Sequence, residues 1–173
     1  MKTSFACIVA GLTLTAAVLP ARAQFGSAIM AGARRHGGSS AVTSLPFKKG
    51  DTSAVFGLQL HDQLAYWRLG LGYAWEAGDN PDVEQVLTPQ LHLVFHEQYL
   101  ALAVGMLKSF VSDKVRGDYE SKVYYDLQAG IDLPLGRFRL TFMAAYPFSD
   151  WGKLSKFKGG DLEYTAGIAF RFQ

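Results

Sequence analysis

Strict alternation of apolar and polar side chains runs through almost the whole chain past Gln24, and it excludes helix as the main element. In 65–76 one set is Trp67, Leu69, Leu71, Tyr73 and Trp75, and the other is Tyr66, Arg68, Gly70, Gly72, Ala74 and Glu76. Successive strand side chains point to opposite faces, so a strand separates these sets and a helix would mix them.

The pattern recurs in 53–61, 86–96, 99–110, 122–133, 137–147 and 162–172, with a less distinct Ala- and Gly-rich stretch at 25–34. This predicts eight strands. Their links alternate in length: short at 61–64, at 96–98 and at Pro134-Leu135-Gly136-Arg137, long and polar at 35–52, 77–85, 111–121 and 148–161. Short turns at one end and long loops at the other describe an up-and-down antiparallel barrel. No linker or second domain interrupts it.

The first 23 residues read differently. Lys2 precedes an uncharged, mostly apolar stretch from Phe5 to Leu19, and Pro20 then leads to Ala21-Arg22-Ala23 before Gln24. That is the pattern of a cleaved secretory signal peptide, leaving 24–173 as one domain. Cleavage removes Lys2 and Arg22, so the 17 basic residues fall to 15 and match the 15 acidic ones. A neutral mature chain gives no general attraction to nucleic acid. The one cysteine, Cys7, leaves with the leader, and its place inside the apolar stretch argues against a lipid anchor. Charged residues are 18% of the chain, against about 25% in an ordinary soluble domain.

Alternation alone does not say which face looks outward. Gly57, Gly70, Gly72, Gly105, Gly130 and Gly167 all fall on the polar face, where a crowded interior needs space and a solvated exterior does not. Following the strands up and down places Trp67, Phe95, Phe138, Phe170 and Phe172 near one rim of the apolar face. Tyr73, Trp75, Phe110, Tyr125, Tyr146 and Tyr164 fall near the other, with aliphatic residues between. Two aromatic girdles around an aliphatic band suit two membrane–water interfaces.

The last strand, Thr165-Ala166-Gly167-Ile168-Ala169-Phe170-Arg171-Phe172, is similar to the C-terminal assembly signal of outer-membrane barrels, with Gln173 displacing the usual terminal aromatic by one position. In architecture and end signal the mature chain resembles small eight-stranded outer-membrane proteins of the OmpA/OmpX type. The resemblance implies an all-β, eight-stranded antiparallel up-and-down transmembrane β-barrel in a bacterial outer membrane. It also implies a monomer whose partners are outer-membrane lipids, lipopolysaccharide and the barrel-assembly machinery.

In that topology the polar face becomes an interior network of Arg68, Gln90, His92, Asp126, Gln128, Asp132, Arg139 and Arg171, with His61 and His96 near the short-turn end and Glu76, Lys122 and Glu163 near the other. Charges inside a barrel have to be paired or hydrated, so a salt-bridged plug is the first expectation and a narrow ion channel the second. A lipid A-modifying enzyme is the third. The His-x-Ser pair of known deacylases is absent, because Gln63, Val94 and Gln98 follow His61, His92 and His96. His36 precedes Gly38, Ser39 and Ser40 in what reads as a mobile loop. His92 and Asp126 could in principle form a dyad, but no serine is clearly placed as a nucleophile. His92 and His96 lie about 13 Å apart along one strand, too far to share a metal, so no metal or cofactor is expected. A secreted lipocalin-like ligand-binding barrel is the alternative outside the membrane, and the Gly-x-Trp expected of its first strand is missing from 25–34. The sequence therefore predicts a structural or surface-interaction role without catalysis.

Overall fold

A computed structural model describes residues 25–38, 44–62, 67–75, 81–97 and 99–172. The leader expected at 1–23 lies outside the described residues. Ten strand segments follow: β1 Phe25–Arg35, β2 Thr52–Asp62, β3 Trp67–Trp75, β4 Val83–Glu97, β5 Leu100–Leu107, β6 Phe110–Asp113, β7 Tyr119–Glu120, β8 Tyr124–Leu135, β9 Phe138–Phe148 and β10 Glu163–Phe172. All pairings are antiparallel, in the order β3-β2-β1-β10-β9-β8-β5-β4-β6-β7, and β3 also pairs with β4.

The excess over eight segments has a local cause. The strand expected at 99–110 is cut at Lys108-Ser109, yet β5 and β6 pair with β4 in one register, Gln90 with Leu107 and Leu87 with Phe110. Opposite the gap stands Pro89, which has no N–H to give the ladder. Only the return bond survives, from Lys108 N to Pro89 O at 3.3 Å. On the other side, Ser121-Lys122-Val123 faces just Lys108-Ser109, one residue too many, which bulges the strand between β7 and β8. The Ser109 N–H donates to Ser121 Oγ and the Ser121 N–H to Ser109 O, both at 2.8 Å, so the bulge leaves neither amide unmatched.

The expected loop at 111–121 is therefore partly strand. β6 and β7 form a small hairpin whose turn is pinned by Asp113, with Oδ1 accepting from the Val115 and Arg116 N–H groups at 2.9 Å. The 148–161 loop is also built. Trp151–Lys156 and Gly159–Asp161 are 3₁₀ turns, the first capped by Asp150 accepting from the Gly152 N–H. At the other end Leu135 and Phe138 pair directly across Gly136-Arg137, where Gly136 has φ +63°, the left-handed value a II′ hairpin needs at its first central position.

Burial follows the predicted alternation with its polarity reversed from that of a soluble core. Ile29, Leu102, Ile131, Phe142 and Ile168 are about half exposed, while His92, Asp126, Asp132 and Glu163 are at most 4% exposed. The buried apolar residues mix small ones (Ala28, Ala101, Ala103, Ala145, Ala169) with larger ones such as Met30, Tyr124 and Met143, and a cap of Phe47, Val83, Val86 and Val111 packs together toward the long-loop end.

Candidate functional site

The buried face carries three polar groupings. In the first, His92 Nε2 lies 3.0 Å from Asp126 Oδ1, and Gln128 Nε2 lies 2.6 Å from Asp126 Oδ2. A carboxylate only accepts, so His92 donates from Nε2 and Gln128 from its amide, each to one oxygen. The two donors are 2.9 Å apart because they share that carboxylate. Gly105, on β5 between them, is the register partner of both His92 and Asp126, and a Cβ there would collide with both side chains.

The second grouping spans the β8–β9 hairpin. Arg139 donates from a terminal nitrogen to Asp132 Oδ2 at 3.0 Å, and Thr141 Oγ1 donates to Oδ1. Asp132 thus meets a cation and a hydroxyl while nearly sealed from solvent. Gln90 lines a cavity farther up. Arg171 donates its backbone N–H to Arg137 O, and its buried Nε has no hydrogen-bond partner among the described residues. Arg68 lies on β3 as the register partner of His92; its side chain is outside what is described, as are those of His61 and His96.

The third grouping was not anticipated. His36 is no mobile-loop residue: it is 4% exposed, stacked on Phe47 with ring centroids 3.6 Å apart and planes within 8°. Its backbone continues the β1–β2 ladder one step, the His36 N–H donating to Asp51 O at 2.8 Å. Its Nε2 lies 2.8 Å from Ser53 Oγ, and its Nδ1 lies 3.5 Å from Glu163 Oε1. Three neighbouring strands place them, since β10, β1 and β2 are consecutive in the sheet and all three side chains fall on the buried face. Arg34, also on β1, reaches Glu163 at 3.9 Å and donates from Nε to Thr165 Oγ1 at 3.2 Å. A cavity of about 20 Å³ adjoins them, lined by Arg34, His36, Phe47, Ser53, Gln90 and Tyr124 among others. A serine thus stands beside a histidine that the sequence did not bring to it, because β-sheet register joins residues the linear sequence separates. Below this grouping, Ser109 Oγ bridges Thr88 Oγ1 and Tyr124 Oη at 2.8 and 2.9 Å.

Among the girdle residues, Phe95, Phe138, Tyr164 and Phe172 are exposed, and Phe110, Tyr125 and Phe170 are half-buried. Tyr146 departs from expectation. It is 8% exposed because Phe157 folds back over it at 4.9 Å, while Trp151 packs on Phe148 and Tyr125 at 5.1 and 5.4 Å. Trp67, Tyr73 and Trp75 lie on β3, whose side chains are outside what is described. No three His, Cys, Asp or Glu side chains come together as a metal-holding group among the described residues.

No protein-family model matches this chain, and no curated protein matches it in sequence. Its structure is similar to the crystal structure of the N-terminal β-barrel domain of Pseudomonas aeruginosa OprF, with a TM-score of 0.55 and 11% sequence identity over 87% of this chain and 100% of that one. At that identity the likeness speaks to the fold alone, an all-β antiparallel up-and-down sheet similar to that of the OprF barrel domain.

Proposed function

We propose that the chain is an integral outer-membrane protein in which eight long strands, counting β5 with β6 and β7 with β8, close into a transmembrane barrel. Its role is structural or one of surface interaction at the boundary with the medium. The observation that carries this reading is the inverted polarity: a belt of half-exposed Ile, Leu and Phe outside, and His92, Asp126, Asp132 and Glu163 sealed within. Water would penalise that belt and lipid accepts it. The pairing of β3 with β4 supports closure, because it joins the two ends of the strand order and leaves no long edge unpaired in hydrocarbon. The likeness to the OprF barrel domain supports the same reading. An apolar-lined cup of the lipocalin kind would put Ile29, Ile131 and Ile168 inside, and they are outside.

The interior groupings suit a plug better than a pore, since Asp126 and Asp132 are already engaged by donors or a cation from nearby strands. At the long-loop end, exposed Lys156 and Lys158 beside Trp151 and Phe157 suit contact with lipid phosphates at an interface. The deciding experiment is gel mobility of the protein from an isolated outer-membrane fraction, with and without boiling. A compact band that shifts only on boiling is expected. Recovery in the soluble periplasm without that shift would overturn the reading.

A further inference from the structure

Beyond that structural role, we propose that Ser53, His36 and Glu163 form an acyl-transfer triad that hydrolyses small carboxylic esters reaching it from the long-loop end. A serine hydroxyl is a weak nucleophile until an adjacent base takes its proton, and the base works best when a third group fixes its tautomer. His36 Nε2 sits 2.8 Å from Ser53 Oγ, within reach for that transfer. The opposite nitrogen, Nδ1, is buried without a hydrogen-bond partner among the described residues and lies 3.5 Å from Glu163 Oε1, a carboxylate oxygen placed to receive its proton as imidazolium forms. Stacking on Phe47 fixes the ring plane. Acyl transfer needs a nucleophile at one ring nitrogen and a carboxylate facing the other, and Ser53 and Glu163 stand on those two sides, the carboxylate at ion-pair distance.

The steps balance without any further reagent than water. Ser53 Oγ bonds to the ester carbonyl carbon as its proton passes to His36 Nε2. The tetrahedral adduct collapses, the C–O bond to the alcohol breaks, and the alcohol leaves with the proton from Nε2. Water then attacks the acyl-serine, giving a proton to Nε2, and Ser53 recovers it as the carboxylic acid departs. Arg34 lines the same cavity and is the cation at hand for the developing oxyanion.

The cavity sets the substrate class. About 20 Å³ holds roughly one water, so even an acetyl group enters only as the cavity widens, and a fatty chain has no room. Phe47, in the β1–β2 link, lines the cavity while stacked on His36, so removing its ring enlarges the space beside Ser53.

The test uses the full mature chain folded in detergent micelles, with folding read separately from the heat-dependent gel shift. The probes are a fluorophosphonate and p-nitrophenyl acetate. The fluorophosphonate should label Ser53, located by peptide mass spectrometry, with no label in Ser53→Ala and labelling slowed about 100-fold in His36→Gln. Phe47→Ala should label faster than the parent by opening the cavity, and p-nitrophenyl acetate should be cleaved in preference to the octanoate ester. Folded parent and folded Phe47→Ala protein both left unmodified at Ser53 would overturn the proposal and make the cluster a loop latch. Labelling that persists in a folded His36→Gln variant at the parent rate would overturn it too. If His36→Gln fails to fold, the Ser53→Ala and Phe47→Ala pair still decides.

Discussion

His92 and Asp126 meet across an intervening strand: they stand on β4 and β8, and their 3.0 Å hydrogen bond passes over Gly105 of β5. Neighbouring strands lie about 4.8 Å apart, so side chains two strands away touch only where the residue between them has none. Gly105→Ala puts a methyl where the imidazole and carboxylate now join. The expected result is a fold destabilised by about 1–3 kcal/mol, the range for a buried polar group left unmatched. Urea unfolding in micelles measures it. A midpoint equal to the parent's would mean that the His92–Asp126 contact contributes nothing.

Asp132 joins Arg139 and Thr141 at a site with almost no access to solvent. Asp132→Ala leaves the Arg139 guanidinium without its carboxylate, and breaking a buried pair this way costs about 3–5 kcal/mol. Asp132→Asn keeps an acceptor for Thr141 and should lose less. The ordering parent, Asn, Ala in unfolding midpoint is the expectation. An Ala variant as stable as the parent would show water supporting Arg139 instead.

How much of this was legible in the sequence divides along one physical line. Alternation is local, so a strand such as β8 and its inward Asp126, Gln128 and Asp132 could be read directly. Register is not local. His36, next to Gly37-Gly38, breaks the visible period and reads as loop, yet it takes its place because Arg34 pairs with Ser53 on one side and with Thr165 on the other. Once that register is known, His36 falls between Glu163 and Ser53. Tyr146 shows the same limit from outside: its alternation marks it as outward, but the folded-back Phe157 buries it.

Asp113 supplies a pH-dependent element in the β6–β7 turn. The backbone N–H of Arg116, and then that of Val115, donates to its carboxylate and holds its pKa below the ordinary 3.8. A carboxylate with a depressed folded pKa stabilises the turn fully above the unfolded value, and the contribution fades as pH falls through the lower, folded one. The Val115 and Arg116 amide signals in NMR should therefore hold steady down to about pH 4 and shift together below it. In Asp113→Asn that transition should vanish. A transition centred above the ordinary carboxylate value would contradict the two hydrogen bonds.

Pro89 makes the strand break on β5–β6 testable by a gain rather than a loss. In an antiparallel ladder the N–H and C=O of one residue point to the same neighbour, so with Lys108 N donating to Pro89 O, the nitrogen of residue 89 faces Lys108 as well. Proline has no proton there. Pro89→Leu keeps a partly exposed apolar side chain and adds the missing donor. Restoring one ladder bond should stabilise the barrel by about 1 kcal/mol, raising the urea midpoint, with the new residue-89 amide protected from hydrogen exchange. An unchanged midpoint with a freely exchanging amide would place the cause of the break elsewhere. The extra residue of Ser121-Lys122-Val123 would then be what holds Lys108 and Ser109 out of the ladder.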